Sequence, residues 1–307
     1  IRPKGLQEFS QDMEFNLMMM NDIPQHLRDL NRVDVFTEST IEVKRRIKSF
    51  DEFAHKGTRG HAAIIAGSEG MMGAAILATS ACMRSGTGKT TSFVPGSCFN
   101  LIHQSIPEAL VKSSDSVPEN FQEFQSIAIG PGLGISQHSN ALLESALNSN
   151  KPLTIDADGI NILSKNPALK NNLPKDVLLT PHHGEWERMF FACDNDTLKI
   201  KTSIEYCNNL NINMILKGYY SILVTPNRFF INGTGNMGMA KAGSGDVLTG
   251  ILVSLMAQGY SVEDAGIIGM YVHGLAGDFA RDNLGHDYMT ATDIIHYLSA
   301  AFRSIRN

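Results

Sequence analysis

The chain has 307 residues, a mass of 33.6 kDa and a formal net charge of −5. Hydrophobic residues make up 43% and charged residues 19% of the chain, which excludes a disordered protein, and the acidic balance without a basic stripe argues against a nucleic-acid-binding protein. No apolar run approaches the roughly 18 residues that indicate a membrane span.

The N-terminal segment, residues 1–40, is polar and shows no clear periodicity. The chain begins with Ile1 rather than Met, and the segment lacks the basic, apolar and small-residue order of a signal peptide. We predict that residues 1–40 are either a tail or the end of a preceding domain. Residues 41–307 are predicted to form one domain, because a single α/β domain of this size is common.

From Gly60 onward, short apolar runs that end in Gly, Asp or Thr alternate with helical periodicity. The predicted strands span 61–66, 125–129, 153–155, 177–179, 214–216, 222–224 and 228–231. The predicted helices span 74–84, 246–257, 262–282 and 291–303. Strands that alternate with helices indicate a three-layer α/β/α fold, with a mostly parallel central sheet covered on both faces. Ligands bind at the carboxyl ends of such strands, so we expect the functional site there.

The segment Ser85-Gly-Thr-Gly-Lys-Thr-Thr91 resembles the end of a P-loop, whose amides and Lys hold phosphates. The full pattern needs Gly at position 83, which is Met83, and it needs a preceding strand, whereas this segment follows a predicted helix. Gly86 and Gly88 are therefore predicted to be helix-capping and turn residues, and Lys89 to have no phosphate-binding role.

Two segments after predicted strands leave alternatives open. In Gly130-Pro-Gly-Leu-Gly134 the glycines allow a ligand to approach the backbone, but a plain tight turn explains them equally well. In Asp156-Ala-Asp-Gly159 the two carboxylates are suited to a magnesium ion bound through water, or Asp158 caps a helix that starts near Gly159.

The strongest segment is the glycine-rich run from Asn232 to Asp246, which contains five glycines at positions 233, 235, 238, 243 and 245 and opens onto an apolar helix. A helix N-terminus carries unsatisfied N–H groups and a partial positive charge, so it attracts phosphate. An acidic residue in the first turn also simply complements the helix dipole. The glycine density favours an anion site formed by Gly243, Ser244 and Gly245.

Gly243-Ser-Gly-Asp246 resembles the G-[ST]-G-D signature of ribokinase-like enzymes, in which the glycines form an anion hole and the Asp is the base that deprotonates the accepting hydroxyl. Further motifs make the chain similar to the NAD(P)H-hydrate dehydratase family, over about residues 40–303. These motifs are His55-Lys-Gly57, Gly60-His61, Ala66-Gly-Ser-Glu-Gly-Met-Met-Gly-Ala-Ala75, Arg84-Ser-Gly-Thr-Gly88, Gly130-Pro-Gly-Leu-Gly134, Asp156-Ala-Asp-Gly159, Thr180-Pro-His182 with Gly184-Glu185, Lys217-Gly218 and Gly235-Asn-x-Gly-Met-Ala240.

The resemblance implies roles for individual residues. It implies that the hydrated nicotinamide of NADHX or NADPHX lies near Ala74, Gly132, His182 and Asp246. The nucleotide, ADP or ATP, is implied to lie along Lys217, Gly218, Tyr219, Tyr220 and Ser221 and against Gly245. The implied reaction phosphorylates the ring hydroxyl, with Asp246 as the base and Mg²⁺ on the nucleotide phosphates, and then eliminates phosphate to restore the dihydropyridine.

The resemblance also implies a homo-oligomer, a tetramer, and a preceding epimerase domain as one source of residues 1–40. It leaves open the preference for ADP or ATP and for NADHX or NADPHX. The four cysteines Cys82, Cys98, Cys193 and Cys207 are sparse, which predicts reduced, buried thiols in a cytoplasmic protein.

Two departures from the family pattern, Lys89 in place of an apolar residue and the extra His183, do not touch the implied chemistry. We expect His183 to lie on the surface. Two alternative functions stay open. A ribokinase-like kinase for a small metabolite would keep Asp246 but lack the ordered loops at 66–75 and 130–134. A nucleotide-binding module without catalysis would be expected to have lost Asp246.

If Lys89 has no phosphate-binding role, Lys89→Ala should leave nucleotide affinity within about twofold of the parent, the scale of a remote surface change. Calorimetric titration with ADP measures this directly. A tenfold or larger loss of affinity would restore the P-loop interpretation.

Overall fold

The computed structural model describes residues 35–37, 40–49, 52–226 and 229–306. Most of the predicted N-terminal segment lies outside the described residues. The strands are β1 (Val35–Thr37), β2 (His61–Ile65), β3 (Lys89–Val94), β4 (Leu110–Ser113), β5 (Ser126–Ile129), β6 (Leu153–Ile155), β7 (Val177–Leu179), β8 (Asn213–Leu216), β9 (Ile222–Val224) and β10 (Phe229–Ile231). The helices are α1 (Thr40–Arg46), α2 (Met72–Arg84), α3 (Phe99–Ser105), α4 (Gln137–Leu147), α5 (Asp158–Lys165), α6 (Pro167–Lys170), α7 (His183–Met189), α8 (Asp196–Leu210), α9 (Ser244–Ala257), α10 (Val262–Leu284) and α11 (Ala291–Arg306).

All strands of the described residues belong to one sheet, in the order β1-β10-β9-β8-β7-β6-β5-β2-β3-β4. Only β9 runs antiparallel to its two neighbours, β8 and β10; every other pair is parallel. Because the carboxyl ends of the parallel strands meet at one edge, the loops that follow β2, β5, β6 and β7 lie side by side.

Helices cover both faces of the sheet. Successive strand residues point to opposite faces, so Ile65 packs on one side with α4, α5, α7 and α8, while Ile64 packs on the other side. That second layer consists of α2, α9, α10 and α11, and its core includes Leu178, Phe230 and Leu298. The predicted three-layer, mostly parallel α/β fold is confirmed.

Each predicted strand and helix is present in the described part of the chain, with ends shifted by up to three residues. Three strands, β1, β3 and β4, were not predicted, and β3 illustrates the reason. Thr90, Thr91 and Ser92 are fully buried in β3, between β2 and β4, although hydrophobic periodicity assigns such residues to a surface. Ser92 is accommodated because its hydroxyl accepts a hydrogen bond from Thr79 Oγ1 of α2, at 3.2 Å.

The segment at 85–91 runs from the end of α2 into β3, which agrees with the rejection of the P-loop interpretation. Gly86 has φ +100°, and its N–H donates to the carbonyl of Met83 in the last turn of α2, at 3.2 Å. A Cβ at Gly88 would lie 2.0 Å from the carbonyl oxygen of Lys56, so that position excludes a side chain. A P-loop joins a strand to a helix, whereas Lys89 here begins a strand.

All four cysteines are buried and form no disulfide, which confirms the prediction of buried free thiols. His183 is exposed, as predicted. None of the helices in the described ranges is long and apolar enough to cross a bilayer.

The contact between α9 and α2 depends on the absence of a side chain at Gly250. A Cβ at Gly250, in α9, would lie 2.1 Å from the carbonyl oxygen of Ala78 and 2.8 Å from the Cβ of Ala81. The two helices therefore pack backbone against backbone at this point. This contact matters for function because α9 begins next to Asp246 and α2 begins next to Ala74.

Gly250→Ala should lower the free energy of unfolding by about 1–3 kcal/mol, the scale of overpacking in a close-packed interior. The matched control is Gly73→Ala, in the first turn of α2, where no atom lies within 4 Å of the added Cβ. That substitution should leave stability unchanged or raise it by up to about 1 kcal/mol. Urea denaturation of both variants measures the difference. Equal effects would contradict the packing described for Gly250.

Candidate active site

Three loops at the carboxyl edge of the sheet are held together by hydrogen bonds. The hydroxyl of Ser68, after β2, donates to the carbonyl of Gly132, after β5, at 2.8 Å. The N–H of Gly134 donates to Asp158 Oδ2, after β6, also at 2.8 Å. Asp158 therefore fastens one loop to the next. It is the first residue of α5 and not its N-cap, which is Ala157, so the helix-cap alternative is wrong.

Glycine allows these loops to approach closely. Gly130 has φ +126°, and a Cβ there would lie 1.9 Å from the carbonyl oxygen of Asp156. Gly132 has φ +60°, and a Cβ there would lie 3.0 Å from the Cβ of Ala74. Ala74 and Gly132, two of the predicted substrate residues, thus line the same place on the sheet edge.

Beside these loops lies a buried ion pair. Lys217 Nζ, after β8, is 2.7 Å from Asp156 Oδ1, after β6, and 3.8 Å from Glu185 Oε2, in α7. The second oxygen of Asp156 accepts a hydrogen bond from Thr249 Oγ1 of α9, at 2.8 Å. Both oxygens of this carboxylate are therefore engaged, and its position is set by a strand loop on one side and a helix on the other.

Glu185 is held by a reciprocal cap at the start of α7. The N–H of His182 donates to Glu185 Oε2 at 2.8 Å, and the N–H of Glu185 donates to His182 Nδ1 at 3.3 Å. His182 Nε2 lies 3.2 Å from Glu185 Oε1. This arrangement is a capping box in which an imidazole replaces the usual hydroxyl. It buries the Glu185 carboxylate while the His182 ring stays half exposed.

Asp246 lies in the first turn of α9, next to this cluster. Its pKa is raised to about 6 from an ordinary value of 3.8, chiefly by burial and also by the negative charges of Asp156 and Glu185, while Lys217 opposes the rise. No group of the described residues donates a hydrogen bond to the Asp246 carboxylate. A carboxylate with this pKa and a free lone pair is suited to accept a proton near neutral pH.

The pKa values of the neighbouring groups follow from burial and the shared charges. Burial raises the pKa of Glu185, and Lys217 lowers it only in part. Burial lowers the pKa of Lys217, but the carboxylates of Asp156 and Glu185 outweigh burial, so the pKa is raised and the ammonium stays charged. Burial and the Lys217 charge lower the pKa of His182, which favours its neutral form.

The N-terminus of α9 presents unpaired backbone amides at the sheet edge. Its N-cap, Gly243, has φ +90°, and the N–H groups of Gly245 and Asp246 donate no hydrogen bond to any described residue. Ser244 Oγ is 3.3 Å from His273 Nε2. Burial lowers the pKa of His273 to about 4, so this imidazole is neutral and adds no charge. Two unpaired amides at a helix N-terminus are what a phosphate group binds.

The glycine-rich loop before α9 is tied to α10. Asp278 accepts hydrogen bonds from the N–H of Gly235 and from Asn236 Nδ2, both at 3.1 Å. A Cβ at Gly274 of α10 would lie 2.2 Å from Thr234 Oγ1, so the loop lies directly on the helix backbone. These contacts place Gly243 and the start of α9 at the sheet edge.

The predicted nucleotide residues occupy the hairpin between β8 and β9. Gly245 lies beside Lys217, with 3.3 Å between a Cβ at Gly245 and Lys217 Nζ. A Cβ at Gly218 would meet only the carbonyl of Tyr220, at 3.6 Å, so that surface is open. Tyr219 is 86% exposed and stacks edge-on against Tyr220, at 4.9 Å between ring centroids. Ser221 accepts a hydrogen bond at its carbonyl from Asn232 N–H, at 2.9 Å.

Sequence reasoning missed three residues that support the charged cluster and the start of α9. It assigned no role to Glu185, Thr249 or His273, and it considered Asp156 only for magnesium. Glu185 had a signal, since it stands three residues after a helix-start residue, the spacing of a capping box. Thr249 and His273 had none, because their partners are 93 and 29 residues away along the chain.

The carboxylates of this site offer the oxygen ligands that magnesium prefers. Asp246 accepts no hydrogen bond from the described residues, Glu185 is held by the cap with His182, and Asp156 is engaged by both Lys217 and Thr249. A separate group of residues that could ligate a metal consists of His183, Glu187 and Asp194, whose ligand atoms lie within 4.8 Å of one another. The ammonium of Lys199 is 2.9 Å from His183 Nδ1, so a positive charge already lies beside that group.

Comparison with known proteins identifies the relatives of this fold and site. A family model described as NAD(P)H-hydrate dehydratase matches residues 62–300. The chain is 33% identical to the ADP-dependent (S)-NAD(P)H-hydrate dehydratase of Neisseria meningitidis, over 88% of this chain and 93% of that protein. It is 30% identical to the bifunctional NAD(P)H-hydrate repair enzyme Nnr of Thermofilum pendens, over 92% of this chain and 56% of that protein. The chain thus spans about half the length of the bifunctional relatives it matches.

The crystal structure of the ADP/ATP-dependent NAD(P)H-hydrate dehydratase of Bacillus subtilis, co-crystallised with ATP/Mg²⁺, superposes with a TM-score of 0.80 at 27% identity. The superposition covers 90% of this chain and 99% of that one.

The raised pKa of Asp246 generates a stability prediction. Protonated Asp246 is favoured in the folded state, so the wild type loses stability as pH rises from its ordinary pKa near 3.8 to its folded pKa of about 6. Asn cannot ionise, so Asp246→Asn should gain stability relative to the wild type over this interval. Between pH 4.5 and pH 8 the relative gain in free energy of unfolding should be about 1–2 kcal/mol.

Urea denaturation at both pH values measures this gain. The control is Asp194→Asn, an exposed carboxylate, for which the change between the two pH values should be below about 0.5 kcal/mol. A pH-independent effect of Asp246→Asn would contradict the raised pKa.

Proposed function

Because the chain belongs to the NAD(P)H-hydrate dehydratase family, we propose that it removes water from the hydrated nicotinamide ring of NADHX and NADPHX and regenerates NADH and NADPH. The proposed enzyme is a hydro-lyase that uses ADP or ATP. The observation that carries this proposal is Asp246, a carboxylate with a pKa of about 6 and no hydrogen-bond donor among the described residues, directly beside the unpaired amides of α9. Amides alone would support phosphate binding; the adjacent base supports transfer of a phosphoryl group to a hydroxyl.

In the first proposed step, Asp246 accepts the proton of the ring hydroxyl. The hydroxyl oxygen forms a bond to the terminal phosphorus of the nucleotide, and the bond from that phosphorus to the bridging oxygen breaks, so ADP leaves as AMP or ATP leaves as ADP. The amides of Gly245 and Asp246 hold the oxygens of the phosphoryl group in transfer. In the second step, phosphate departs with the electrons of its C–O bond, a proton is lost, and the ring double bond re-forms.

Lys217 is proposed as a positioning residue. Its ammonium holds Asp156 and lies beside Gly245, so it adds a positive charge near the phosphoryl position without contacting the reacting hydroxyl. It also limits the rise of the Asp246 pKa, which keeps this carboxylate ionised at neutral pH.

Magnesium fits this site. Of the carboxylates in the cluster, Glu185 and Asp246 are the residues that would hold it, and when bound the ion neutralises the nucleotide phosphates. The chain's own contribution is to keep Glu185 buried and fixed by the His182 cap.

The remaining assignments rest on the family. We propose that the nicotinamide lies near Ala74, Gly132 and His182, and that the nucleotide lies along 217–221. The pairing of Ala74 with Gly132 and the open surface at Gly218 support this division. The four buried free thiols support a cytoplasmic location, and the family resemblance supports a homotetramer.

Asp246→Asn tests the function. It keeps the shape of the side chain and removes the proton acceptor, so turnover of hydrated NADH with ADP should fall at least about a hundredfold. ADP binding should be unchanged or tighter, because a negative charge beside the phosphate site is lost. Recovery of dihydronicotinamide absorbance measures turnover, and calorimetry measures binding.

Asp194→Asn is the matched control and should keep full turnover, since Asp194 is exposed and makes no contact with the ion-pair cluster around Lys217. Turnover of Asp246→Asn within a few-fold of the parent would overturn the assignment of the base. Absence of turnover in the parent enzyme, with phosphorylation of a small hydroxylated metabolite instead, would favour the kinase alternative.

A further inference from the structure

A cationic cavity lies at the edge of the sheet opposite to Asp246. Its volume is about 320 Å³, and it is lined by four arginines: Arg59, Arg84, Arg303 and Arg306. Arg59 precedes β2, Arg84 ends α2, and the other two lie in the last turn of α11 or next to it. Three separate segments of the chain therefore bring guanidinium groups to one place.

This cavity is distinct from the candidate active site. Helix α2 connects the two, with Ala74 in its first turn and Arg84 as its last residue. Its 13 residues span about 20 Å at 1.5 Å per residue. A ligand in the arginine cavity therefore contacts neither Asp246 nor the amides of α9.

The charged residues that line the cavity are all positive. The cavity holds four of the twelve arginines of a chain whose net charge is −5, and no acidic residue lines it. Arg84 and Arg303 form no ion pair and donate no hydrogen bond within the described ranges. Guanidinium groups that share a cavity repel each other, and an anion between them relieves that repulsion.

The chemistry of the lining selects the class of anion. A guanidinium presents a planar set of donors that matches two oxygens of one phosphate group, which makes arginine the preferred residue for phosphate recognition. The hydroxyls of Ser85 and Ser299 line the same cavity, although Ser85 Oγ already donates to the carbonyl of Ala81, at 2.7 Å. About 320 Å³ is at the lower end of the range for small-molecule sites and exceeds what a single phosphate fills.

We propose that this cavity binds a polyphosphate anion, through the phosphate groups of a nucleoside di- or triphosphate or of an inorganic polyphosphate. Arg84 and Arg303 would contact the phosphate oxygens directly. The site is separate from the catalytic one, so its occupancy adds to, and does not replace, nucleotide binding near Asp246.

The test compares the wild type with the double variant Arg84→Gln/Arg303→Gln by calorimetric titration with sodium tripolyphosphate, at low ionic strength and without magnesium. The double variant should lose at least about tenfold in affinity for one equivalent of tripolyphosphate, the scale for loss of charge-assisted hydrogen bonds. Arg45→Gln is the control for the loss of a positive charge elsewhere: it removes one charge, against two in the double variant, from an exposed arginine that does not line the cavity. It should bind like the wild type.

A second calorimetric titration, with ADP or ATP, identifies the source of the phosphates. If the ligand is a nucleotide, ADP or ATP binds with two equivalents per chain in the wild type and with one in the double variant. If it is inorganic, only the tripolyphosphate titration differs between the two proteins. Equal tripolyphosphate affinity in the wild type and the double variant overturns the proposal in either case.

Thermal unfolding separates binding from a structural role of the arginines. Without added anion, the double variant should melt at the same temperature as the wild type or higher, since like charges have been removed. Tripolyphosphate should raise the melting temperature of the wild type and of Arg45→Gln by more than that of the double variant, in which only the amides of α9 remain to bind it. A lower melting temperature of the double variant in the absence of anion, with the stabilisation by tripolyphosphate retained, would show that these arginines are structural and overturn the proposal.

Discussion

The ion pair between Lys217 and Asp156 is the interaction on which the candidate active site depends. Asp156 follows β6 and Lys217 follows β8, so the two side chains meet across the end of β7, at the one edge where parallel strands all finish. Breaking a buried pair by removing one partner costs about 3–5 kcal/mol, because the remaining charge is left uncompensated. Thr249 and Glu185 are arranged around this pair, and Asp246 takes its electrostatic environment from it.

The cluster is built with more negative than positive charge. Three carboxylates, those of Asp156, Glu185 and Asp246, surround the single ammonium of Lys217. Burial raises the pKa of Asp246, the carboxylate with the fewest hydrogen bonds, and this excess of negative charge adds to the rise. Such a site is less stable than a neutral one, and the close packing of α9 on α2 at Gly250 offsets part of that cost elsewhere in the molecule. This arrangement gives the Asp246 carboxylate a pKa close to neutral pH.

The two proposed phosphate-binding surfaces attract an anion in different ways. At the N-terminus of α9, backbone amides and the helix dipole attract an anion, and few charged side chains are needed. At the end of α2 the dipole is unfavourable for an anion, so only side-chain charge can hold one, and four arginines line that cavity. Because both ends belong to the same helix layer, the two surfaces share a rigid connection through α2.

The sequence by itself determined the α/β class and the succession of most strands and helices along the chain, and it predicted a site at the carboxyl ends of the strands with Asp246 as its base. These follow from local properties: hydrophobic periodicity, glycines after strands, and an acidic residue at a helix start. It could also reject Lys89 as a P-loop residue, since that judgement needs only the neighbouring elements. Buried polar strands such as β3 escaped it, because their burial depends on neighbours in the sheet.

Only the tertiary structure decided what Asp156, Asp158 and Lys217 do. The sequence left Asp156 and Asp158 between a magnesium role and a helix cap, and assigned Lys217 to the nucleotide by resemblance. In the fold, Asp158 fastens a loop at Gly134, and Lys217 directs its ammonium into the protein toward Asp156, 61 residues away in the chain. The physical reason is that a charge pair is set by strand order, which brings distant residues to one sheet edge, and no local pattern in the chain records that order.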